Sequence, residues 1–168
     1  RAVHPRLRYL FLEVTRRCNL SCAYCGSSCT GGEQAPEMPA ARFVEVIRQV
    51  AADFPARSIM VAVTGGEPLL KPGIFDIFQA LHDAGFPYGM VTNGRLLDAK
   101  AARALVAVGM GSISISMDAL PEVNDRLRGA GCSASAASAV AALQAAGYAG
   151  KLEILSTITV PALDNLDA

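Results

Sequence analysis

The chain lacks the features of nucleic-acid-binding and membrane-spanning proteins. Its 15 lysine and arginine residues balance 15 aspartate and glutamate residues, so no net field concentrates nucleic acid or anionic lipid around it. Although 52% of the residues are hydrophobic, no apolar run approaches the ~18 residues that a membrane span needs. The sequence also contains no GxxxxGK(S/T) phosphate loop and no serine, histidine and aspartate arrangement, which removes two common enzyme classes.

Disulfide bonds are not needed to explain the fold. A chain of 168 residues is long enough for one domain that buries roughly two thirds of its unfolded surface. The cysteine count is odd, four of the five cysteines are crowded between positions 18 and 29, and no apolar stretch resembles a signal sequence. These features favour a reducing cytoplasm as the location of the protein.

The crowded cysteines leave three interpretations open: a disulfide staple, a zinc site and an iron–sulfur site. They follow the pattern Cys18-x3-Cys22-x2-Cys25, with Cys29 four residues further on. Thiolates at this spacing, on a loop that can wrap inward, suit a [4Fe-4S] cluster, which takes one ligand per iron. Three thiolates leave one iron open, whereas Cys29 could supply a fourth ligand and give a pure electron carrier.

Apolar runs that alternate with helical patterns predict the fold class. This order indicates an α/β fold with a parallel sheet and right-handed crossovers, either doubly wound or curled toward a barrel. A complete eight-unit barrel does not fit this length. Strands are predicted at 8–15, 58–66, 88–94, 111–118 and 152–160, with helices that begin near Pro39, Ile74, Leu97 and Ser133.

Unusual polar residues follow the predicted strands. The cysteine loop follows strand one, "TGGEP" (64–68) follows strand two, "TNG" (92–94) follows strand three, and Ser116 with Asp118 ends strand four. The carboxyl ends of parallel strands meet at one edge, where helix N-termini and free backbone amides also converge. The sequence therefore predicts one functional site at this edge.

Two of these motifs together resemble a known family. "CNLSCAYC" (18–25) is similar to the CxxxCxxC signature of the radical S-adenosylmethionine (SAM) enzymes, with an aromatic residue before the last cysteine, and "GGEP" (65–68) follows in the expected order. The resemblance implies an open, partial βα barrel of about five units, with 1–168 as a core domain truncated at its C-terminus. It further implies a [4Fe-4S] cluster held by Cys18, Cys22 and Cys25, with Cys29 left over.

The same resemblance implies the residues that would contact SAM. Gly65 and Gly66 would let backbone carbonyls approach the SAM ammonium, and Glu67 would add a carboxylate. Ser116 is expected at the ribose and Arg128 at the SAM carboxylate. The other residues expected at the cofactor are Tyr24, Pro68, Asn93 and Asp118.

The reaction implied is reductive cleavage of SAM to a 5′-deoxyadenosyl radical, which abstracts hydrogen from an unknown substrate. A flavodoxin or ferredoxin is the expected reductant. "NDRLRG" (124–129) is similar to a segment of the peptide-maturase (SPASM-like) branch, which makes a peptide the candidate substrate. The alternatives are a ferredoxin-like electron-transfer module that uses Cys29 as fourth ligand and a zinc-stapled binding domain.

Overall fold

The structure, a computed structural model, describes residues 6–27, 29 and 36–163. Strands and helices alternate along most of this range. The strands are β1 (Tyr9–Glu13), β2 (Met60–Thr64), β3 (Tyr88–Thr92), β4 (Ser112–Ser116) and β5 (Lys151–Leu155). The helices are α1 (Ala40–Asp53), α2 (Ile74–Asp83), α3 (Ala99–Ala107), α4 (Pro121–Arg128), α5 (Cys132–Ala145) and α6 (Val160–Leu163). Short 3-10 turns cover Ala56–Ser58 and Pro68–Leu70.

The order of the strands decides between the two predicted architectures. All neighbouring pairs are parallel, and the strands follow one another across the sheet from β1 to β5 in chain order. A doubly wound sheet reverses its order at a switch point. An unreversed order with right-handed crossovers instead places the crossover helices on one face of the sheet. The predicted open, partial βα barrel is therefore confirmed, with β1 and β5 as its free edges.

The two faces of the sheet have different environments. Side chains on the helix-covered face include Val61, Val63 and Ile113, which are fully buried. The opposite face, which we call the inner face, carries Phe11, Ala62, Gly89 and Ser112, which are aligned across β1 to β4. Phe11 is 69% exposed, so the apolar core lies between sheet and helices rather than inside the barrel.

Helices α4 and α6 and the lengths of the strands differ from the sequence prediction. Helix α4 was not predicted, because polar Asn124 and Arg128 occupy buried positions where a hydrophobic stripe would be sought. All five strands are shorter than predicted, and the last, which was predicted to reach residue 160, ends at Leu155 before helix α6 begins at Val160. After Leu155, the Thr157 N–H donates to Asp118 Oδ1 at 2.8 Å. The chain therefore leaves the hydrogen-bonded pairing with β4. Among the described helices, none has the length and apolar character to cross a membrane.

Candidate functional site

A cavity of about 340 Å³ lies at the carboxyl ends of the strands. Loops that follow all five strands contribute to its wall, as the parallel topology predicts. The structure brings most of the predicted site residues to this wall: Cys18, Cys22, Tyr24, Cys25, Gly65, Gly66, Asn93, Ser116 and Arg128. Thr157 and Cys29 also line the cavity, whereas Glu67, Pro68 and Asp118 do not.

The motif cysteines form one side of the cavity. Cys18, Cys22 and Cys25 are partly exposed, whereas Cys29 is buried. In the described part of the chain, no three His, Cys, Asp or Glu side chains meet closely enough to hold a single metal ion. The thiols thus line a wall rather than converge on one point.

Burial is the main influence on the acidity of Cys18, Cys22 and Cys29. It raises the pKa of Cys18, and it raises the pKa of Cys22 against the opposing charge of Arg128. Burial, together with the nearby Cys25, raises the pKa of the Cys29 thiol to about 11. Arg128 is thus the described cation that most favours a thiolate at Cys22.

The last turn of helix α4 contacts the cysteine loop. The Ala23 N–H donates to the Leu127 carbonyl at 2.9 Å, and the Cys22 thiol lies 3.9 Å from the Arg128 carbonyl oxygen. The last turn of α4 therefore fixes the middle of the cysteine motif, although the two segments are more than a hundred residues apart in the sequence.

The two glycines of "GGEP" pack against the chain that leaves β1. Gly66 N–H donates to Thr15 O and Glu67 N–H to Arg17 O, both at 2.8 Å. A Cβ on Gly65 would lie 2.4 Å from Thr15 O, and one on Gly66 would lie 2.2 Å from Arg17 O. Glycine is therefore required here for the close approach of two backbone segments, independently of any ligand.

Glu67 is fully buried behind this wall. Its carboxylate accepts hydrogen bonds from Thr92 Oγ1 at 2.8 Å, from the Asn93 N–H at 2.8 Å and from the Leu69 N–H at 3.2 Å. Burial raises the pKa of Glu67, and these donors oppose the rise. The carboxylate faces β3 rather than the cavity, and Pro68 is buried beside it at the start of a 3-10 turn.

Asn93 connects the end of β3 to the cysteine loop. Its Nδ2 donates to Asn19 Oδ1 at 2.8 Å and lies 3.8 Å from Cys18 Sγ. Its Oδ1 accepts from the Arg95 N–H at 2.9 Å. All polar atoms of the side chain thus have partners in the wall of the cavity.

Arg128 is held at the opposite side by Asp118. Its Nε lies 2.6 Å from Asp118 Oδ2 and its Nη2 lies 2.8 Å from Asp118 Oδ1, the bidentate geometry of a strong ion pair. The Asp118 side chain is fully buried behind Arg128, and its N–H donates to Asn124 Oδ1 at 2.9 Å. Asp118 therefore positions the guanidinium that lines the cavity.

Tyr24 contributes the aromatic surface next to Arg128. The guanidinium carbon lies 5.7 Å from the centre of the Tyr24 ring, within the range of a cation–π contact. Among the described residues, the Tyr24 hydroxyl is buried and has no hydrogen-bond partner. An unpaired buried hydroxyl costs about 1–3 kcal/mol, so a partner from outside the described residues, such as a bound ligand, would stabilise this site.

Sequence reasoning missed two groups of polar residues. Asn124 was noted only as part of "NDRLRG" (124–129), because a polar residue in a sequence does not reveal its burial. Glu37 also escaped notice, although it accepts a hydrogen bond from Thr15 Oγ1 and pairs with buried Lys71 at 3.3 Å. Lys71 Nζ also donates to Met38 O at 2.6 Å, and these contacts fasten the segment before α1 to the end of β1.

Comparison with known proteins identifies the family. Residues 12–165 match the model of the Radical SAM superfamily. The AdoMet-dependent heme synthase of Methanosarcina barkeri is 35% identical over 126 residues, which are 74% of this chain and 35% of that protein. The mycofactocin maturase MftC of Mycobacterium ulcerans is 32% identical over 149 residues, 86% of this chain and 39% of that protein.

Among solved structures, Streptococcus suis SuiB has a TM-score of 0.78 at 18% identity, covering 96% of this chain and 36% of SuiB. SuiB has also been solved bound to S-adenosylmethionine. The chain therefore belongs to the radical SAM superfamily, a family of enzymes that bind a [4Fe-4S] cluster and SAM. It spans between a third and a half of the length of the heme synthase and of MftC.

Proposed function

We propose that this chain is the core domain of a longer radical SAM enzyme that cleaves SAM reductively and uses the resulting radical to abstract hydrogen from a substrate. One observation carries the proposal. Cys18, Cys22 and Cys25 line the same cavity as Gly65 and Gly66, although the two motifs leave different strands. Family membership over residues 12–165 supports the same reaction.

The residues of the cavity fit the cofactors of the family. Cys18, Cys22 and Cys25 are partly exposed on one wall, and soft thiolate ligands suit an iron–sulfur cluster. The cluster, when bound, supplies the electron that breaks the sulfonium bond of SAM to give methionine and a 5′-deoxyadenosyl radical. The Tyr24 hydroxyl, which has no hydrogen-bond partner among the described residues, adds a polar group that a nucleoside would pair with.

The chain itself binds and orients SAM in this proposal. Arg128, held in place by Asp118, presents a cation to the SAM carboxylate. Gly65 and Gly66 form the wall that faces the ammonium, and Ser116 lies at the rim toward the ribose. Glu67 and Pro68 act indirectly, because their buried side chains hold this wall against β3. Asn93 contributes to the cofactor site from β3.

A peptide is the substrate class that we propose, with an external flavodoxin or ferredoxin as reductant. Support for the peptide comes from relatives, because MftC is named a maturase and SuiB has been solved with its precursor peptide SuiA. The open inner face, which carries exposed Tyr9 and Phe11, leaves room for a substrate beside the cavity.

Anaerobic reconstitution of the full protein with iron and sulfide tests the proposal. The reduced protein should show a paramagnetic spectrum that changes when SAM is added, together with formation of 5′-deoxyadenosine. Cys22→Ala should lose both signals. Cys29→Ala should keep both, and Cys132→Ala serves as a matched control, because it removes a buried thiol outside the motif.

Each alternative function predicts a different result. Equal loss of the cluster in Cys22→Ala and Cys29→Ala, with no response of the wild-type spectrum to SAM, would indicate a ferredoxin-like electron carrier. A colourless protein that contains zinc and no iron would indicate a zinc-stapled domain. Either result would overturn the proposal.

A further inference from the structure

We propose that Asn93 is a positioning residue that donates a hydrogen bond to the sulfur of Cys18 and thereby raises the reduction potential of the cluster. The inference rests on the proposed function, because it concerns the cluster that Cys18, Cys22 and Cys25 would hold. The Asn93 Nδ2 lies 3.8 Å from Cys18 Sγ, within the range over which an N–H donates to sulfur.

The hydrogen bonds around the side chain fix which end of the amide faces the sulfur. Oδ1 accepts from the Arg95 N–H at 2.9 Å, and one Nδ2 hydrogen is used by Asn19 Oδ1 at 2.8 Å. A flipped amide would place Oδ1 against Asn19 Oδ1 and Nδ2 against the Arg95 N–H, so both contacts would be lost. The remaining Nδ2 hydrogen is the one available to Cys18.

The backbone that carries Asn93 is anchored by the buried carboxylate of Glu67. Glu67 accepts from the Asn93 N–H and from Thr92 Oγ1, both at 2.8 Å. Thr92 Oγ1 accepts in turn from the Gly94 N–H at 3.1 Å. Asn93 itself is only 8% exposed, so its amide is placed by groups that have little freedom to move.

Reduction adds one negative charge to the cluster and its thiolates. A donor aimed at a thiolate sulfur stabilises the reduced state more than the oxidised state, and such hydrogen bonds are among the features that set iron–sulfur potentials. A single hydrogen bond of ordinary strength changes the reduction equilibrium constant by several-fold and at most about tenfold. For a one-electron couple, a tenfold change corresponds to about 59 mV.

The test is a redox titration of the reconstituted full protein without SAM, followed by paramagnetic resonance of the reduced cluster. Three variants are compared with the wild type. Asn93→Leu removes the donor without adding charge, and Asn93→Asp keeps the shape and the acceptor for the Arg95 N–H but removes the donor. Asn93→Gln retains an amide donor and should lie closer to the wild type than either.

We expect both donor-free variants to be harder to reduce, with the equilibrium constant lowered by several-fold and further in Asn93→Asp, because a carboxylate adds negative charge. Equilibrium constants within about twofold of the wild type in both variants, at normal iron content, would overturn the inference. A role confined to folding would change the iron content and leave the potential of the loaded protein unaltered.

A second measurement requires no variant. Wild-type protein labelled with 15N in the asparagine side chain should show hyperfine coupling of that nitrogen to the reduced cluster, and absence of the coupling would refute the hydrogen bond. The wild-type protein alone tests the proposed function. If it binds no cluster, or if the spectrum of its cluster does not change on addition of SAM, the proposed function is wrong whatever the results for the variants.

Discussion

Replacement of Gly66 by alanine tests whether the glycine pair is needed for the fold itself. The backbone of Gly66 does not have a positive φ, so alanine can adopt its conformation and the cost is purely steric. The new Cβ would lie 2.2 Å from Arg17 O, whereas real Cβ atoms essentially never approach closer than 3.0 Å. The Arg17 carbonyl would therefore have to retreat by about 0.8 Å.

That movement weakens two hydrogen bonds between the strand exits. The bonds from Gly66 N–H to Thr15 O and from Glu67 N–H to Arg17 O each contribute about 1 kcal/mol, and overpacking costs about 1–3 kcal/mol. We expect Gly66→Ala to lower the free energy of unfolding by about 2–4 kcal/mol. Urea unfolding of the cluster-free protein, followed by circular dichroism, measures the change.

Gly26 provides a matched control in the cysteine loop. A Cβ placed there meets no atom of the described residues within 4 Å, so Gly26→Ala should change the free energy of unfolding by no more than about 0.5 kcal/mol. The reasoning is refuted if Gly66→Ala is as stable as Gly26→Ala. Such a result would mean that the glycine pair is needed only for the approach of a ligand.

Two further predictions concern Glu37 and Tyr24. Burial raises the pKa of Glu37, but hydrogen bonds from Thr15 and Lys71 outweigh it and lower this pKa below its usual 4.5. The ionised carboxylate therefore stabilises the folded state above pH 4.5. This stabilisation is lost as the pH falls through the lowered pKa. Urea midpoints measured from pH 7 to pH 3 should therefore fall less steeply in Glu37→Gln than in the wild type, and parallel curves would contradict this. Tyr24→Phe removes a buried hydroxyl without a partner among the described residues, so we expect the ligand-free protein to gain about 1 kcal/mol, or about 2–4 °C in Tm. A lower Tm would show that the hydroxyl already has a partner, and weaker SAM binding by the same variant, measured by calorimetry, would indicate that SAM supplies one.

The alternation of strands and helices could be predicted because each element carries a clear hydrophobic period. Ile113 and Ile115 alternate with serines in β4, and Ile74, Ile77 and Phe78 recur at helical spacing in α2. Strand ends were less predictable, because tertiary contacts such as that of Thr157 with Asp118 decide where a ladder stops. The sheet order could not be derived from composition, since doubly wound sheets and barrels bury similar side chains.

The location of the candidate site was predictable, whereas the directions of its side chains were not. In a parallel sheet the chain leaves every strand at the same edge, whatever the packing of the side chains. The cysteines and "GGEP" were therefore expected at the same edge. The sequence could not show that Glu67 faces β3 or that Asp118 lies behind Arg128. Those directions depend on rotamers and on partners such as Asn124, whose burial the sequence does not reveal.

The spread of the cavity over all five strand exits has a consequence for biosynthesis. Its wall includes Cys18 near the start of the chain and Thr157 near the end, so the ribosome has to add about 140 residues after the first thiol before the pocket is complete. At typical translation rates this interval lasts on the order of ten seconds. During that time the nascent thiols lack the walls of the finished cavity, so they are more open to solvent and to oxidants than in the folded protein.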